Sequence, residues 1–242
     1  MSKAIGTRML SVVAVIAGSA ALAAPAAASP ARHAPKHRLG AGTSTNWSGY
    51  SLDGTDATQV SGSWVVQPAA CARKETSWSS PWVGIDGDTD STVEQTGTDS
   101  DCNSGSASYY AWWEMYPKSA VVINHPISPG DKMTASVSYG TSGFTLTLSD
   151  AGKWTFSTVQ TSSKAQRTSV EWIVEGPSNG LLTDFGQQTF SSASAAISGQ
   201  SGLLGSFGSP QEITMVSRKG TQRAVPGQIS PNGVFTDTWL HG

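Results

Sequence analysis

Short runs of alternating apolar and polar residues follow one another along most of the chain after residue 47. The clearest stretch is 133–160, where apolar side chains occupy every second position and turn residues at 140–143 and 150–152 separate three runs. This alternation is typical of an antiparallel meander with one buried face. Further strands are predicted at 60–66, 80–85, 108–115, 169–174, 212–217 and 234–240.

About a dozen strands in some 200 residues predict two packed sheets, because a single open sheet would leave long edges exposed. We therefore expect an all-β fold, a single-domain sandwich of two antiparallel sheets of the concanavalin or lectin-like kind, over residues 43–242. Charged residues make up only 13% of the chain, against about 25% in ordinary soluble proteins. With 26 Gly and 12 Pro, this composition argues against helical bundles.

The N-terminus has the pattern of a secretory signal peptide over residues 1–28. Lys3 and Arg8 precede an apolar run at 9–24, and three alanines at 26–28 supply a cleavage site. The alternative, a membrane anchor, would need about 20 apolar residues. We expect a secreted, extracellular protein with no membrane contact after signal removal. Residues 29–42 are basic and Pro-containing, and we interpret them as a flexible leader, either a short pro-segment or a plain linker.

The charges of the chain are unevenly distributed. All 17 acids and ten of the 15 Lys and Arg residues lie in 41–242, which therefore carries a net charge of −7. A nucleic-acid-binding protein would show the opposite balance. Three fixed positive charges and two histidines lie in 32–38. We hypothesise that this leader docks near an acidic cleft at neutral pH and is released in acid.

Cys71 and Cys102 are the only cysteines. In an exported protein they can form one disulfide, which would close a loop of about 30 residues and contribute roughly 3–4 kcal/mol. A catalytic thiol is the alternative, and it is disfavoured because a second cysteine is available to oxidise with it.

Several chemistries can be set aside from the residue types alone. After the leader the chain has two histidines, His125 in a Pro-flanked loop and His241 at the C-terminus, which suit a Ser-His-Asp triad poorly. The acidic run at 86–90 lacks the spacing of a calcium loop and is interpreted as a polar turn. We expect no metal and no cofactor. The remaining candidates are carboxylates in strand patterns, namely Glu94, Glu114, Glu171 and Glu175.

Five segments, taken together and in order, resemble the glutamic peptidases, the eqolisin family of acid proteases. They extend over most of residues 45–240. They read TNWSGY at 45–50, WVGIDG at 82–87, VEQTGTD at 93–99, YYAWWEMYP at 109–117 and VEWIVE at 170–175.

The resemblance implies a catalytic dyad of Gln95 and Glu171 and a β-sandwich fold. It also implies that Trp82, Asp86 and Asp99 line or support the site. Glu171 would act as general base and acid on a water molecule, and Gln95 would stabilise the oxyanion of a protein or peptide substrate. One departure is Glu94, where the family has an apolar residue, and it should face away from Gln95. A monomer is expected.

Two other functions remain open from the sequence. A glycoside hydrolase would use two carboxylates, for example Glu114 and Glu171, about 5–5.5 Å apart if retaining. A carbohydrate-binding module would need neither acid and would expose the aromatic residues of 109–116. The peptidase hypothesis predicts that Gln95 is indispensable and Glu114 dispensable, and the glycosidase hypothesis predicts the reverse.

Overall fold

The structure, a computed structural model, describes residue 1 and residues 33–177 and 179–242. Within these ranges the chain forms nineteen β-strands and one 3₁₀ helix, Leu204–Ser206. In chain order the strands are β1 Arg38–Gly40, β2 Thr43–Ser44, β3 Trp47–Asp53, β4 Gln59–Val65, β5 Ser77–Trp78, β6 Ser80–Ile85, β7 Val93–Asn103, β8 Ser106–Tyr116, β9 Val121–Ile123, β10 Lys132–Gly140, β11 Gly143–Asp150, β12 Trp154–Gln160, β13 Ser169–Glu175, β14 Leu181–Leu182, β15 Gln187–Ile197, β16 Gln200–Leu203, β17 Gln211–Val216, β18 Gln222–Pro226 and β19 Phe235–Trp239.

The strands form two antiparallel sheets that share one edge strand. The first, here called the cleft sheet, has the order β17-β3-β13-β6-β7-β8-β9. The second, the back sheet, has the order β12-β11-β10-β4-β15-β19-β18-β17. This arrangement confirms the predicted β-sandwich. The predicted meander at 133–160 is β10–β12 of the back sheet.

The main core lies between the two sheets and takes alternate residues from each strand. In β13, Val170, Trp172 and Val174 face this core, together with Leu146 and Leu148 from the back sheet. The alternate residues of β13 project to the other face of the cleft sheet. There a second apolar cluster forms from Trp47, Trp82, Val93, Tyr110, Trp112, Ile173 and Ile213.

Some strands do not follow the alternation that predicts the others. β7 is polar in sequence, yet ten of its eleven residues are buried, because the core covers one face and the second apolar cluster the other. β15 carries mostly Ser and Ala, with Phe190 as its one aromatic residue. Small side chains suffice there because β15 packs between β4 on one side and β19 on the other.

Residues 33–42 are folded onto the sandwich rather than extended into solvent. β1 pairs with β2, and the backbone N–H of Lys36 donates to the carbonyl of Gly87 at 3.0 Å. The segment therefore does not behave as the flexible leader expected from composition. The predicted signal peptide lies outside the described residues, apart from Met1.

The predicted disulfide is formed between Cys71 and Cys102, with their Cα atoms 5.5 Å apart. It ties the end of β7 to the loop before β5. Among the described residues, no helix is long and apolar enough to cross a membrane.

Candidate active site

One row of residues crosses the cleft sheet in register. Ser51 pairs with Glu171, Glu171 with Gly84, Gly84 with Gln95, and Gln95 with Glu114. Directly paired residues in antiparallel strands project to the same face. The side chains of Glu171 and Gln95 therefore share a face, with one strand between them and their backbones roughly 10 Å apart.

Gly84 leaves a notch between these two side chains. A Cβ atom at this position would lie 2.9 Å from Cζ3 of Trp82 and 3.2 Å from Cβ of Gln95. Such distances are below ordinary van der Waals contact. Glycine is therefore the residue that lets the Trp82 ring and the Gln95 side chain lie this close to the backbone of β6.

Glu171 is fully buried, and neither of its carboxylate oxygens has a hydrogen-bond partner among the described residues. Burial raises the pKa of Glu171 well above its usual value, against a smaller lowering by the nearby Ser169 hydroxyl. The negative charge of Asp88 adds to the increase. In this state the proton is held on Glu171 at a pH where an exposed glutamate would be ionised.

Gln95 is also fully buried, and its amide is held from one side. Its Nε2 donates to Oε2 of Glu114 at 2.6 Å. Its Oε1 has no hydrogen-bond partner among the described residues. Burial raises the pKa of Glu114 to about 7, despite the opposing effects of His33 and of the Gln95 bond. The bond fixes which end of the amide points toward Glu114 and leaves Oε1 available.

Trp82 and Asp99 lie on the same face as the dyad. Trp82 Nε1 donates to Oε2 of Glu175 at 3.0 Å. Asp99 accepts hydrogen bonds from the Ser80 hydroxyl at 2.6 Å and from the Tyr110 hydroxyl at 2.7 Å. Two of the three predicted supporting residues thus help build an acidic, aromatic cleft beside the dyad.

Asp86, the third predicted supporting residue, holds a loop in place rather than lining the cleft. Its carboxylate accepts the backbone N–H groups of Gln166 and Arg167, both at 2.9 Å, and of Thr168 at 2.7 Å. These bonds fix the loop that leads into β13 and so help set the register of Glu171. Asp86 itself has a positive φ of 70°, a conformation that the aspartate side chain tolerates better than most.

The leader lies over the cleft face and pairs with its carboxylates. The His33 ring stacks on Trp112 with centroids 3.8 Å apart, and its Nδ1 lies 3.4 Å from Oε2 of Glu175. Farther along the leader, Lys36 Nζ lies 2.6 Å from Oδ1 of Asp88, and Arg38 Nη2 lies 2.9 Å from the same oxygen. The leader and the cleft therefore have complementary charge.

A cavity of about 780 Å³ opens beside the leader. Its lining includes Glu114, Tyr116, Lys118, Glu175 and Asn179. Glu114 connects this cavity to the row of paired residues, because it pairs with Gln95 in the sheet. Among the described residues, no group of three or more His, Cys, Asp or Glu could hold a metal ion.

Sequence reasoning named Glu175 only as a candidate carboxylate and placed the histidines of the leader near an acidic cleft, but it did not link Glu175, Trp112 and His33 to one another. Two features of the sequence could have indicated their place in the site. Glu175 is four residues after Glu171 and shares its face, and Trp112 is two residues before Glu114 in β8. Glu94, the departure from the family pattern, pairs with Ile85 and Met115, which belong to the main core. It therefore faces away from Gln95, as the alternation predicts.

A two-sheet sandwich with an amide and a carboxylate in register beside an acidic aromatic cleft is the arrangement of the glutamic peptidases. The profile of the Peptidase A4 family matches residues 45–236. The chain belongs to this family, the eqolisins.

Individual relatives agree with that assignment. Aspergillopepsin-2 of Aspergillus niger is 34% identical over 186 residues, covering 64% of this chain and 66% of that protein. Scytalidopepsin B of Scytalidium lignicola is 35% identical over 145 residues, covering 54% of this chain and 51% of that protein. The matches thus span about two thirds and about half of these relatives. A crystal structure of scytalido-glutamic peptidase with a peptide-based transition-state analogue has a TM-score of 0.68 at 25% identity, covering 81% and 98% of the two chains.

Proposed function

We propose that this protein is an acid endopeptidase in which Glu171 and Gln95 hydrolyse peptide bonds without a cofactor. The observation that carries the proposal is the in-register pair on one sheet face, with Gly84 of β6 paired to both residues. A peptide carbonyl bound between these two side chains would have the carboxylate on one side and the amide on the other.

The reaction assigns each group a role. Ionised Glu171 takes a proton from a water molecule, whose oxygen attacks the peptide carbonyl carbon. The carbonyl oxygen becomes an oxyanion and accepts a hydrogen bond from the Nε2 of Gln95. Glu171 then gives its proton to the amide nitrogen, the C–N bond breaks, and the products are a carboxylic acid and an amine.

Glu114 orients the Gln95 amide for this work. The Glu114 Oε2 atom accepts from Nε2 at 2.6 Å and so holds the amide with its Nε2 end toward Glu114. The second N–H of Nε2 and the unpartnered Oε1 then remain for the oxyanion and the water. In this proposal Glu114 is a positioning residue, in contrast to the dispensable role predicted from the sequence.

The same proposal requires the cleft to open. Glu171 and Gln95 are both inaccessible with the leader in place, and a general base must be ionised to accept a proton. Burial is the largest cause of the raised pKa of Glu171. Hydration of the cleft removes that cause, so the pKa of Glu171 falls toward that of an exposed glutamate and the base is ionised in mild acid.

Peptides are the proposed substrates. The related scytalido-glutamic peptidase binds a peptide-based transition-state analogue, and the cleft described above has the acidic and aromatic lining to receive a peptide. We also propose secretion, which the basic and apolar N-terminal pattern and the Cys71–Cys102 disulfide support, and a monomeric state.

The two alternatives fit less well. Glu114 and Glu171 are three strands apart, so their backbones are separated by about 14 Å, and Gln95 stands between them. A retaining glycosidase needs carboxyl groups about 5–5.5 Å apart. The cleft aromatics Trp47, Trp82 and Trp112 are fully buried, whereas a carbohydrate-binding surface would present them to solvent.

The test is digestion of an unfolded protein substrate at about pH 3–4, followed by mass spectrometry of the peptides. Wild type should cleave, and both Glu171→Gln and Gln95→Ala should be inactive. Glu94→Gln is the matched control, because it changes a buried glutamate next to Gln95 that faces the opposite side. Cleavage by purified Glu171→Gln at the wild-type rate would refute the proposal.

A further inference from the structure

His33 fills a pocket that its own chain builds on the cleft face. The imidazole lies nearly parallel to the Trp112 indole, at an interplanar angle of 19°. One ring nitrogen, Nδ1, lies 3.4 Å from Glu175, and the other, Nε2, lies 3.7 Å from Asp99. The His33 side chain is 1% exposed. A flat ring with an acid at each nitrogen is thus enclosed almost completely.

The backbone beside His33 is held by contacts that any peptide could make. The N–H of Ala34 donates to Oε1 of Glu175 at 2.9 Å. The carbonyl of Ala34 accepts from Trp47 Nε1 at 2.9 Å, and Asn46 Nδ2 donates to the carbonyl of Pro35 at 3.2 Å. None of these contacts uses a side chain of the leader, so they do not depend on the leader sequence.

The pocket lies directly beside the dyad. Gly97 and Trp112 are paired in the sheet, two residues along their strands from the paired Gln95 and Glu114. Two residues along a strand correspond to about 7 Å. A peptide with one bond over Gly84 can therefore place a side chain one or two positions away in the His33 pocket.

We propose that the pocket of Trp112, Asp99 and Glu175 is a substrate subsite for a protonated imidazole or another flat cation, and that His33 occupies it as an intramolecular ligand. This proposal rests on the proposed peptidase function and names the substrate side chain that the cleft selects.

Charge and shape both favour such a ligand. Three carboxylates act on His33, namely Glu175, Asp99 and Glu114. Burial alone would lower the pKa of His33, but the Glu175 contact and these charges raise it to about 9. A phenyl ring would stack on Trp112 and leave the carboxylates without a cation. A lysine would supply the charge without a ring to stack.

The first test is chemical complementation of a His33→Ala variant of the full chain. Imidazole should bind this variant saturably at about pH 6, quench tryptophan fluorescence and raise Tm. Pyrazole, a neutral ring of the same size, should bind at least tenfold more weakly. The control is His125→Ala, because His125 also stacks on a tryptophan, Trp154, but outside the cleft; imidazole should not bind there.

Absence of saturable imidazole binding in folded His33→Ala would overturn the proposal, as would equal binding of pyrazole. If His33→Ala does not fold, His33→Asn keeps a polar group at the position and gives the same readout. Because binding needs no catalysis, this result is separate from the fate of the proposed peptidase function.

The second test is the specificity of cleavage. In a peptide library digested by the His33→Ala variant, His and Arg should be enriched at one fixed position relative to the cleaved bond. Adding Glu175→Gln should reduce the ratio of His to Phe at that position about tenfold. An unchanged ratio would show that the carboxylate does not select the side chain.

Discussion

Glu114 shows how the structure changes the role of a single residue. From the sequence it was a candidate acid for a glycosidase and dispensable for a peptidase. In the structure its carboxylate is bonded to the amide of Gln95 at 2.6 Å. In the proposed mechanism, a residue in that position orients the oxyanion donor without touching the substrate bond.

We therefore predict that Glu114→Gln lowers kcat by roughly 10- to 100-fold, the range expected when a buried amide loses its fixed hydrogen-bond partner. A glutamine at 114 can accept or donate, so it no longer selects the Nε2 end of Gln95. KM should change little, and the thermal midpoint should show that the fold is kept. Wild-type kcat in folded Glu114→Gln would contradict the role.

Gly84 leads to a second prediction at this scale. The Cβ added by Gly84→Ala would lie 2.9 Å from Trp82 and 3.2 Å from Gln95, so one of them must shift. We expect at least a tenfold loss of kcat/KM, since displacement of a catalytic group by about 1 Å is costly. Gly140→Ala is the control, because its added Cβ meets nothing within 4 Å.

The motifs single out Gln95 and Glu171, which the structure brings onto one sheet face, but not all of their partners. Gln95 and Glu171 stand out because a family pattern surrounds each. Asp86 also belongs to a motif, yet only its three backbone hydrogen bonds reveal that it fixes a loop. Pairing across strands decides which carboxylate meets which amide, and a single sequence does not give that register.

Among the elements, the leader is the one whose behaviour depends most on pH. Burial acts to raise the pKa of Asp88, but the bonds from Lys36, Ser51 and Arg38 lower it below its ordinary value of 3.8. A depressed carboxyl pKa stabilises the docked leader above about 3.8, and that contribution is lost as the pH falls through the lower, docked value. The His33 contribution has the opposite sign: it is complete below 6.5 and is lost as the pH rises through about 9.

The contacts of Lys36 and Arg38 with Asp88 should therefore hold the leader at pH 5–6 and be lost below about pH 3.8, whereas the His33 contribution is still complete there. We predict that Lys36→Ala raises peptidase activity at pH 5 several-fold and moves the onset of activity to higher pH, with little effect at pH 3. Lys153→Ala is a suitable control, since Lys153 pairs with Asp131 and Asp150 in the back sheet. Superimposable pH profiles for wild type and Lys36→Ala would rule out this release.

Elements differ in how well alternation predicts them. β10 and β11 alternate buried residues with exposed or half-buried ones, and β12 alternates half-buried with exposed residues, so apolar residues at every second position report their true surroundings. β7 is buried on both faces while carrying Glu94, Gln95 and Asp99. Its polar groups are covered because the chain folds other parts of itself, including His33, over them. Local sequence contains no sign of that cover.

Many buried acids across the whole molecule have a pKa that is shifted in the same direction, upward. Burial raises the pKa of Glu94 and of Asp101 to about 9, of Asp237 to about 8 and of Glu114 to about 7. The native state then binds more protons than the unfolded chain between about pH 4 and pH 9, so stability falls as the pH rises through this window. His33 contributes in the same direction between 6.5 and about 9.

We predict that the free energy of unfolding, measured with urea, is greater at pH 4.5 than at pH 8. Asp237→Asn should reduce the difference, because Asp237 is fully buried and its asparagine cannot ionise. The Ser48 hydroxyl, which donates to Asp237 at 2.7 Å, retains an oxygen to bond to. A stability that increases steadily from pH 4.5 to pH 8 would contradict this account.

The low content of charged residues in the sequence bears on the same pH dependence of stability. On the back sheet, hydroxyl groups pair across strands where other proteins carry ions, for example Ser63 with Thr134 and Ser149 with Thr155. Hydroxyls do not titrate in acid, so these contacts persist when carboxylates are protonated. Composition predicted the class of fold and the low charge, but only the structure locates the ionisable groups on and beneath the cleft.

The covalent link between His33 and the sandwich also sets how strongly a competitor must bind. A tethered ligand faces its pocket at an effective concentration on the order of millimolar for a short linker, and free peptides must exceed that threshold. Residues 37–42, which form the link, are exposed. Cutting the chain there would release the ligand into bulk solution, so occupancy of the pocket would fall on dilution instead of being fixed by the fold.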